Sequence, residues 1–260
     1  MTEKVRFAFA GDRDIAVVAL EFLLSCNDAP LAILVSDRDR SSHADPLIDL
    51  CKFLPSKYVL RGNEFRQPKG IELLRQLDLD FIVCIHFPYI VIPDVLSLPR
   101  NGVLNLHPAY LPYNRGWHTA SWAILEGTPI GATFHFMDEG IDTGDIIKQR
   151  IMDIRPDDTA NTLYQRVKQL EIDVFKETWG ELKSGGYIRH SQKELKGIAH
   201  SRKDLLKAEI QKIELDQEYV ARDLIKRFRA LTTNRISEAA YYEMDGKRYR
   251  VQIMISEEAL

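Results

Sequence analysis

Cysteine is scarce: three in 260 residues, Cys26, Cys51 and Cys84, far apart and each among apolar neighbours. An odd, scattered set argues against a disulfide framework and a cysteine-rich zinc site, and it predicts buried free thiols. Long apolar runs are missing too. No stretch of 18 or more apolar residues occurs, so neither a transmembrane helix nor a membrane partner is expected. There is no basic excess: 35 Lys and Arg stand against 38 Asp and Glu, a formal net charge of −3. A dedicated nucleic-acid binder shows the opposite balance, so no nucleic-acid partner is expected. Met1-Thr2-Glu3-Lys4 runs straight into an apolar segment with no signal-peptide pattern, which predicts a cytoplasmic protein. Neither G-x-G-x-x-G nor G-x-x-x-x-G-K-[ST] occurs, so dinucleotide and P-loop sites lack their fingerprints. Internal repeats and low-complexity segments are also absent.

What is present can fold. A hydrophobic content of 45% over 260 residues buries a sizeable core. Residues 5–10 read as a short buried strand, broken by Gly11. Residues 14–24 read as a helix, 31–36 as a second strand and 37–44 as a polar loop. Residues 45–53 look helical, 58–60 form a strand, 71–77 a helix and 81–86 a buried strand. Asn101-Gly102 turns the chain into a further strand at 103–106. This alternation predicts an α/β fold, a Rossmann-like mostly parallel sheet with helices on both faces. Ligands in such sheets bind beyond the carboxyl ends of the strands.

The second half changes character. Residues 130–137 and 146–151 are strand-like and are joined by a glycine-containing acidic loop. A long helix over 159–182 carries Leu163, Val167, Leu170 and Val174 as its inner stripe, and Gly185-Gly186 ends it. A helix over 216–231 places Val220, Leu224 and Phe228 on one side. Two alternating strands within 239–255 flank Asp245-Gly246, a strong two-residue hairpin signal. The division expected is a main domain over 1–200 and a small C-terminal helix and β-hairpin module over 201–260.

Chemistry concentrates in two places. Residues two apart on a strand share a side, so Asn105 and His107 of Asn105-Leu106-His107-Pro108 project together from a strand's carboxyl end. Further on comes Asp138-Glu139-Gly140-Ile141-Asp142-Thr143-Gly144-Asp145, a loop rich in acids and glycine. An amide, an imidazole and a carboxylate suit transfer of an acyl-type group. The imidazole moves protons near neutral pH, the amide donates to a developing oxyanion, and the carboxylate holds the imidazole or a water. No Ser or Cys nucleophile accompanies them, which favours direct attack by a substrate amine. Taken singly, each piece also fits a structural role.

Together the motifs carry a resemblance. Asn105-Leu106-His107-Pro108-Ala109-Tyr110-Leu111-Pro112, then Arg115-Gly116, then Asp142-Thr143-Gly144-Asp145, resemble the folate-dependent formyltransferase family over roughly residues 5–180. The resemblance implies a catalytic domain over 1–200, with Asn105, His107 and Asp142 catalytic. By it, Asn105 steadies the oxyanion, His107 shuttles the proton and Asp142 orients His107. It implies N10-formyltetrahydrofolate as co-substrate and no metal. The carrier site would be the loop with Phe87, Tyr89, Ile90, Val91 and Ile92, closed by Asp138, Glu139, Gly140, Ile141 and Asp142. Where the tRNA-modifying and arginine-pathway relatives place a further Arg after Arg-Gly, this chain has Trp117, so a contact made by that Arg is not carried over.

The acceptor implied is the amino group of a nucleotide-linked aminodeoxysugar. Tyr110 to His118, His86-Phe87-Pro88-Tyr89 and the C-terminal hairpin are similar to enzymes acting on dTDP-4-amino-4,6-dideoxyhexoses, which serve surface polysaccharide synthesis as the O-antigen of lipopolysaccharide. Gly11, Arg13, Tyr113, Arg115 and Trp117 are the candidate acceptor contacts, and His200-Ser201-Arg202-Lys203 is a second basic patch. A homodimer is expected, since a partner would cover the hairpin's edges. The competing readings are a methionyl-tRNA formyltransferase, a formyl-folate hydrolase and a non-catalytic folate or nucleotide-sugar binding module.

Overall fold

The computed structural model describes residues 4–37, 43–194 and 196–259. The expectations placed on Met1-Thr2-Glu3 and on positions 38–42 of the polar loop lie outside the described residues. In chain order the strands and helices are β1 (Phe7–Gly11), α1 (Arg13–Ser25), β2 (Ala32–Val35), α2 (Ala44–Leu50), β3 (Val59–Arg61), α3 (Pro68–Gln76), β4 (Phe81–Ile85), α4 (Pro93–Leu96) and β5 (Gly102–His107). There follow β6 (Arg115–Gly116), α5 (Thr119–Glu126), β7 (Ile130–Phe136), β8 (Ile146–Met152), α6 (Ala160–Ser184), β9 (Ala199–His200), α7 (Ala208–Gln211), α8 (Ala221–Leu231), β10 (Ala240–Met244) and β11 (Lys247–Val251).

Seven strands form one sheet in the order β3-β2-β1-β4-β5-β7-β8. The pairs from β3 to β5 are parallel. β7 runs antiparallel to β5. β1 and β4 are buried at every position, as expected of parallel strands covered on both faces. The chain moves outward through β1, β2 and β3, then returns to β4 on the other side of β1. That reversal creates the crevice where such sheets bind ligands. Gly11 sits at its edge because a side chain there would strike Ala16, with the added Cβ 2.7 Å from the alanine Cβ.

The chain divides into two compact units: Met1–His107, Thr133–Gln149 and Glu171–Glu194 make the first, and Pro108–Ala132, Arg150–Leu170 and Leu195–Leu260 the second. The first unit has a core of Ala8, Ala10, Leu34, Phe65, Leu74, Ile82 and Val95, among others. The second is built on two apolar clusters. In one, α5 and α8 pack with Leu163 and Val167. In the other, Trp122 joins Leu205, Ile213, Leu231 and Ala240.

Several expectations need correction. α8 begins at Ala221, whereas the sequence pattern suggests a start at 216. The Tyr219 hydroxyl accepts from the Glu214 amide and donates to Gln217, which holds the preceding segment as a turn. Val220 is therefore exposed and off the inner stripe. Cys26 is exposed, since it follows the last residue of α1, while Cys51 and Cys84 are buried. α5 has no counterpart in the sequence reading, because its first six residues are all buried and no polar face marks its period. The hairpin is as expected: Met244 pairs with Lys247, and both turn residues take positive φ, Asp245 at 53° and Gly246 at 70°, which the two-residue turn requires. Among the described residues, no helix is long and apolar enough to cross a membrane.

Candidate active site

In the first unit three elements bring four polar side chains together. β5 supplies Asn105 and His107. β7 supplies His135, in direct register with Asn105. The loop after β7 supplies Asp142. One Asp142 oxygen lies 3.5 Å from His107 Nε2. The other lies 3.5 Å from Asn105 Nδ2 and 3.7 Å from His135 Nε2. These spacings couple the groups electrostatically while staying longer than ordinary hydrogen bonds.

His135 decides how the Asn105 amide stands. Its Nδ1–H donates to the Phe136 carbonyl at 2.7 Å, so its Nε2 is the acceptor. Asn105 Nδ2 donates to that Nε2 at 3.2 Å. Burial holds the imidazole neutral: it pushes the His135 pKa down to about 4, against the opposing pull of the Asp142 carboxylate. The amide nitrogen is thereby aimed at the His135–Asp142 side, and the donor orientation is fixed.

The Asp142 loop is held from within and from behind. The Asp138 carboxylate accepts from the Gly140 amide at 3.0 Å and from the Thr143 hydroxyl at 2.6 Å. Gly144 approaches the Phe136 carbonyl so closely that an added Cβ would collide with it. The buried Gln192 amide donates to the carbonyls of Asp142 and Gly144 at 3.2 and 2.6 Å. Asp142 itself takes a left-handed φ of 52°, a conformation Asp tolerates better than most residues.

Residues 87–92 follow β4 at the sheet's switch point. Residues 87–91 lie outside both strand and helix, so no regular ladder claims their amides. Phe87 and Tyr89 pack on Phe65, with ring centroids 5.4 and 6.3 Å away. The Tyr89 hydroxyl donates to Asp37 at 3.1 Å. Val91 is buried, yet Ile90 is 79% exposed and Ile141, on the other loop, is 63% exposed. Exposed isoleucines on both loops are an apolar surface that a flat ring can use.

The second unit unites two stretches distant in sequence. β6 pairs with β9, Arg115 with Ala199 and Gly116 with His200, and the Trp117 amide donates to the His200 carbonyl at 2.9 Å. The Arg202 guanidinium stands 5.5 Å from the Trp117 ring centroid. His200 stacks on Trp122 at 3.8 Å and meets Glu126 at 3.1 Å. His118 faces Glu238 at 3.9 Å, and burial lowers its pKa. Arg115 is buried; Tyr113 and Trp117 are exposed.

Residues 27–178, more than half of the chain, match the family described as formyl transferase. The chain belongs to that family. Residues 207–257 match a second family, described as the N-formyltransferase dimerization C-terminal domain. A methionyl-tRNA formyltransferase of Geobacter sulfurreducens is 30% identical over 193 residues. That match covers 72% of this chain and 61% of the relative, so the chain spans less than two thirds of the relative's length. A sugar N-formyltransferase from Shewanella sp FDAARGOS_354 has the same fold, with a TM-score of 0.81 at 24% identity, covering 99% of this chain and 100% of that one. An N-formyltransferase from Helicobacter canadensis, solved in complex with folinic acid and dTDP-3-aminofucose, aligns with a TM-score of 0.66 at 20% identity over 93% and 85% of the two chains.

Within this chain, the structure brings Asn105, His107 and Asp142 together. Phe87, Tyr89, Val91 and Ile92 sit on the first unit's core. Gly11 and Arg13 stand at the sheet's switch point, Arg13 with a positive φ of 67°. Asp12 there is buried, and its carboxylate accepts from the His43 amide at 3.2 Å. Tyr113, Arg115 and Trp117 lie in the second unit. Sequence reasoning missed His135 and Gln192. Gly131-Ala132-Thr133-Phe134-His135-Phe136 reads as an apolar strand, and only its register against β5 shows what the imidazole faces. Among the described residues, no group of three or more His, Cys, Asp or Glu is placed to hold a metal ion.

Proposed function

We propose that the chain transfers a formyl group from N10-formyltetrahydrofolate to the amino group of a nucleotide-linked aminodeoxysugar, with dTDP-4-amino-4,6-dideoxyglucose the acceptor to test first. The observation that carries this reading is the convergence of Asn105, His107 and neutral His135 on Asp142. The carrier fits residues 87–92: their amides are outside any ladder, and Ile90 and Ile141 offer apolar contact. When bound, the carrier supplies the formyl carbon as an electrophile. Asn105 donates to the formyl oxygen as it gains charge. His107 takes a proton from the attacking amine and returns it to the departing carrier nitrogen. Asp142 orients the imidazole between those two transfers. One C–N bond forms and one breaks, with no covalent enzyme step.

For the acceptor, Trp117 and Arg202 are a stacking face and a cation side by side, suited to a base and a diphosphate. Tyr113 and Arg115 belong to the same reading; Gly11 and Arg13, on the first unit, are proposed separately as phosphate contacts. The Helicobacter relative's bound folinic acid and dTDP-sugar support the pairing of ligands. We also propose a homodimer formed through residues 207–257, which the dimerization family matches, and a functional boundary near residue 200.

The test is carrier turnover. The protein is incubated with 10-formyltetrahydrofolate, with and without dTDP-4-amino-4,6-dideoxyglucose, and carrier release is followed. Amine-dependent release with a formylated sugar product is expected. Release that ignores the amine would mean hydrolysis, and no release would mean a binding module. The methionyl-tRNA relatives favour a second acceptor, so formylation of charged tRNA in a parallel reaction would overturn the sugar reading.

A further inference from the structure

The proposed chemistry leaves a buried side-chain pair of the first unit unused. His86 Nε2 lies 2.9 and 3.0 Å from the two oxygens of Glu171. The Glu171 side chain has no solvent exposure, and that of His86 only 5%. A carboxylate removed from water needs a partner that shares its charge or its proton. Among the described residues, His86 is that partner.

The pair's location gives it a second meaning. β4 ends at Ile85. His86 is the next residue and takes a left-handed φ of 51°. His enters that region more readily than most residues but still uncommonly, so its surroundings help to hold it there. Two restraints flank it: the Ile85 carbonyl accepts from the Asp12 amide at 3.3 Å, and the His86 ring is fixed on Glu171. Beyond His86 the chain leaves the sheet as residues 87–92. That loop is fastened again where the Tyr89 hydroxyl meets Asp37 and where Val91 is buried. Between the fastenings it presents Ile90.

We infer that His86 and Glu171 are a positioning pair for the folate carrier. The side-chain bond sets the left-handed turn at His86, and the turn sets the path of residues 87–92. The pair thus governs carrier affinity without touching the reacting atoms. The inference rests on the reading of residues 87–92 as the carrier loop.

The test uses the double variant His86→Phe with Glu171→Leu. Phe fills the ring's space without its bond or any preference for the left-handed backbone, and Leu leaves no orphaned carboxylate. Affinity for 5-formyltetrahydrofolate is measured by calorimetry beside thermal melting, then KM and kcat with the aminosugar nucleotide. The expected result is a loss of carrier affinity of about 10-fold or more, a matching rise in carrier KM, kcat within about threefold, and a melting temperature within about 5 °C of the parent. A folded variant with parental affinity and KM would overturn the inference, since a purely structural pair lowers stability alone. If the double variant does not fold, Glu171→Gln is read in the same way, with a loss of about threefold expected and unchanged affinity overturning. Failure of the parent protein itself to bind 5-formyltetrahydrofolate would sink the carrier-loop reading and this inference with it, a result distinct from an unchanged variant.

Discussion

Both units bury imidazoles beside carboxylates, but they arrange them differently. In the second unit each histidine has its own acid: His200 meets Glu126 and His118 faces Glu238, while Trp122 covers the His200 ring. The first unit has one such separate pair, His86 with Glu171, but there His107, His135 and Asn105 also converge on a single carboxylate, Asp142. Separate pairs fix a packing arrangement. A shared carboxylate cannot satisfy every neighbour at once, so the arrangement retains an unspent capacity to orient and move a proton. Residue type does not separate the two cases; convergence does.

The comparison breaks most sharply at His107. His107→Asn is expected to lower turnover by about 100-fold or more, with melting temperature and dTDP affinity preserved. Steady-state kinetics checks this, and near-normal turnover would reduce the first unit's cluster to packing.

A smaller effect sharpens the role of burial. In the folded protein the His135 pKa lies at about 4, whereas an unfolded chain has about 6.5. Above pH 6.5 neither state binds the proton, and this contribution to stability is complete. As the pH falls through that value, the unfolded chain takes up the proton first and stability declines, levelling off below about pH 4. The loss between pH 7.5 and 5 should be about 2 kcal/mol. Urea unfolding at both values, on the parent and on His135→Gln, checks the sign, because the variant should lose that part of the slope. An identical slope in both would remove His135 as its source.

The smallest change belongs to the second unit. Trp117→Ala and Arg202→Ala should each weaken dTDP binding by about 5- to 10-fold, roughly 1 kcal/mol, with kcat at saturating substrate unchanged. Isothermal titration and kinetics separate the two effects. A fall in kcat matching that of His107→Asn would erase the contrast between the units.

Local order made much of this molecule legible. Buried runs such as Phe81–Ile85 announce parallel strands, and the strand period of two is enough to place Asn105 and His107 on one side. What escaped was set by distant contacts. His135 matters through its register with Asn105, 30 residues away. Glu171 matters through His86, 85 residues away. Gln192 acts on carbonyls 48 and 50 residues earlier. The overextended reading of α8 failed for a local reason, since Tyr219 closes a polar turn that an apolar period cannot reveal.

The antiparallel step from β5 to β7 has one more consequence. Asn105 stands opposite His135, and His107 opposite Thr133. Side chains alternate along a strand, so one inserted or deleted residue within β7 would turn the His135 ring to the far face of the sheet and hand its place to a neighbour. The register of β7 from Thr133 to Phe136 against β5 is therefore a count that the fold reads out. Substitution is graded along this stretch, but length is all or none.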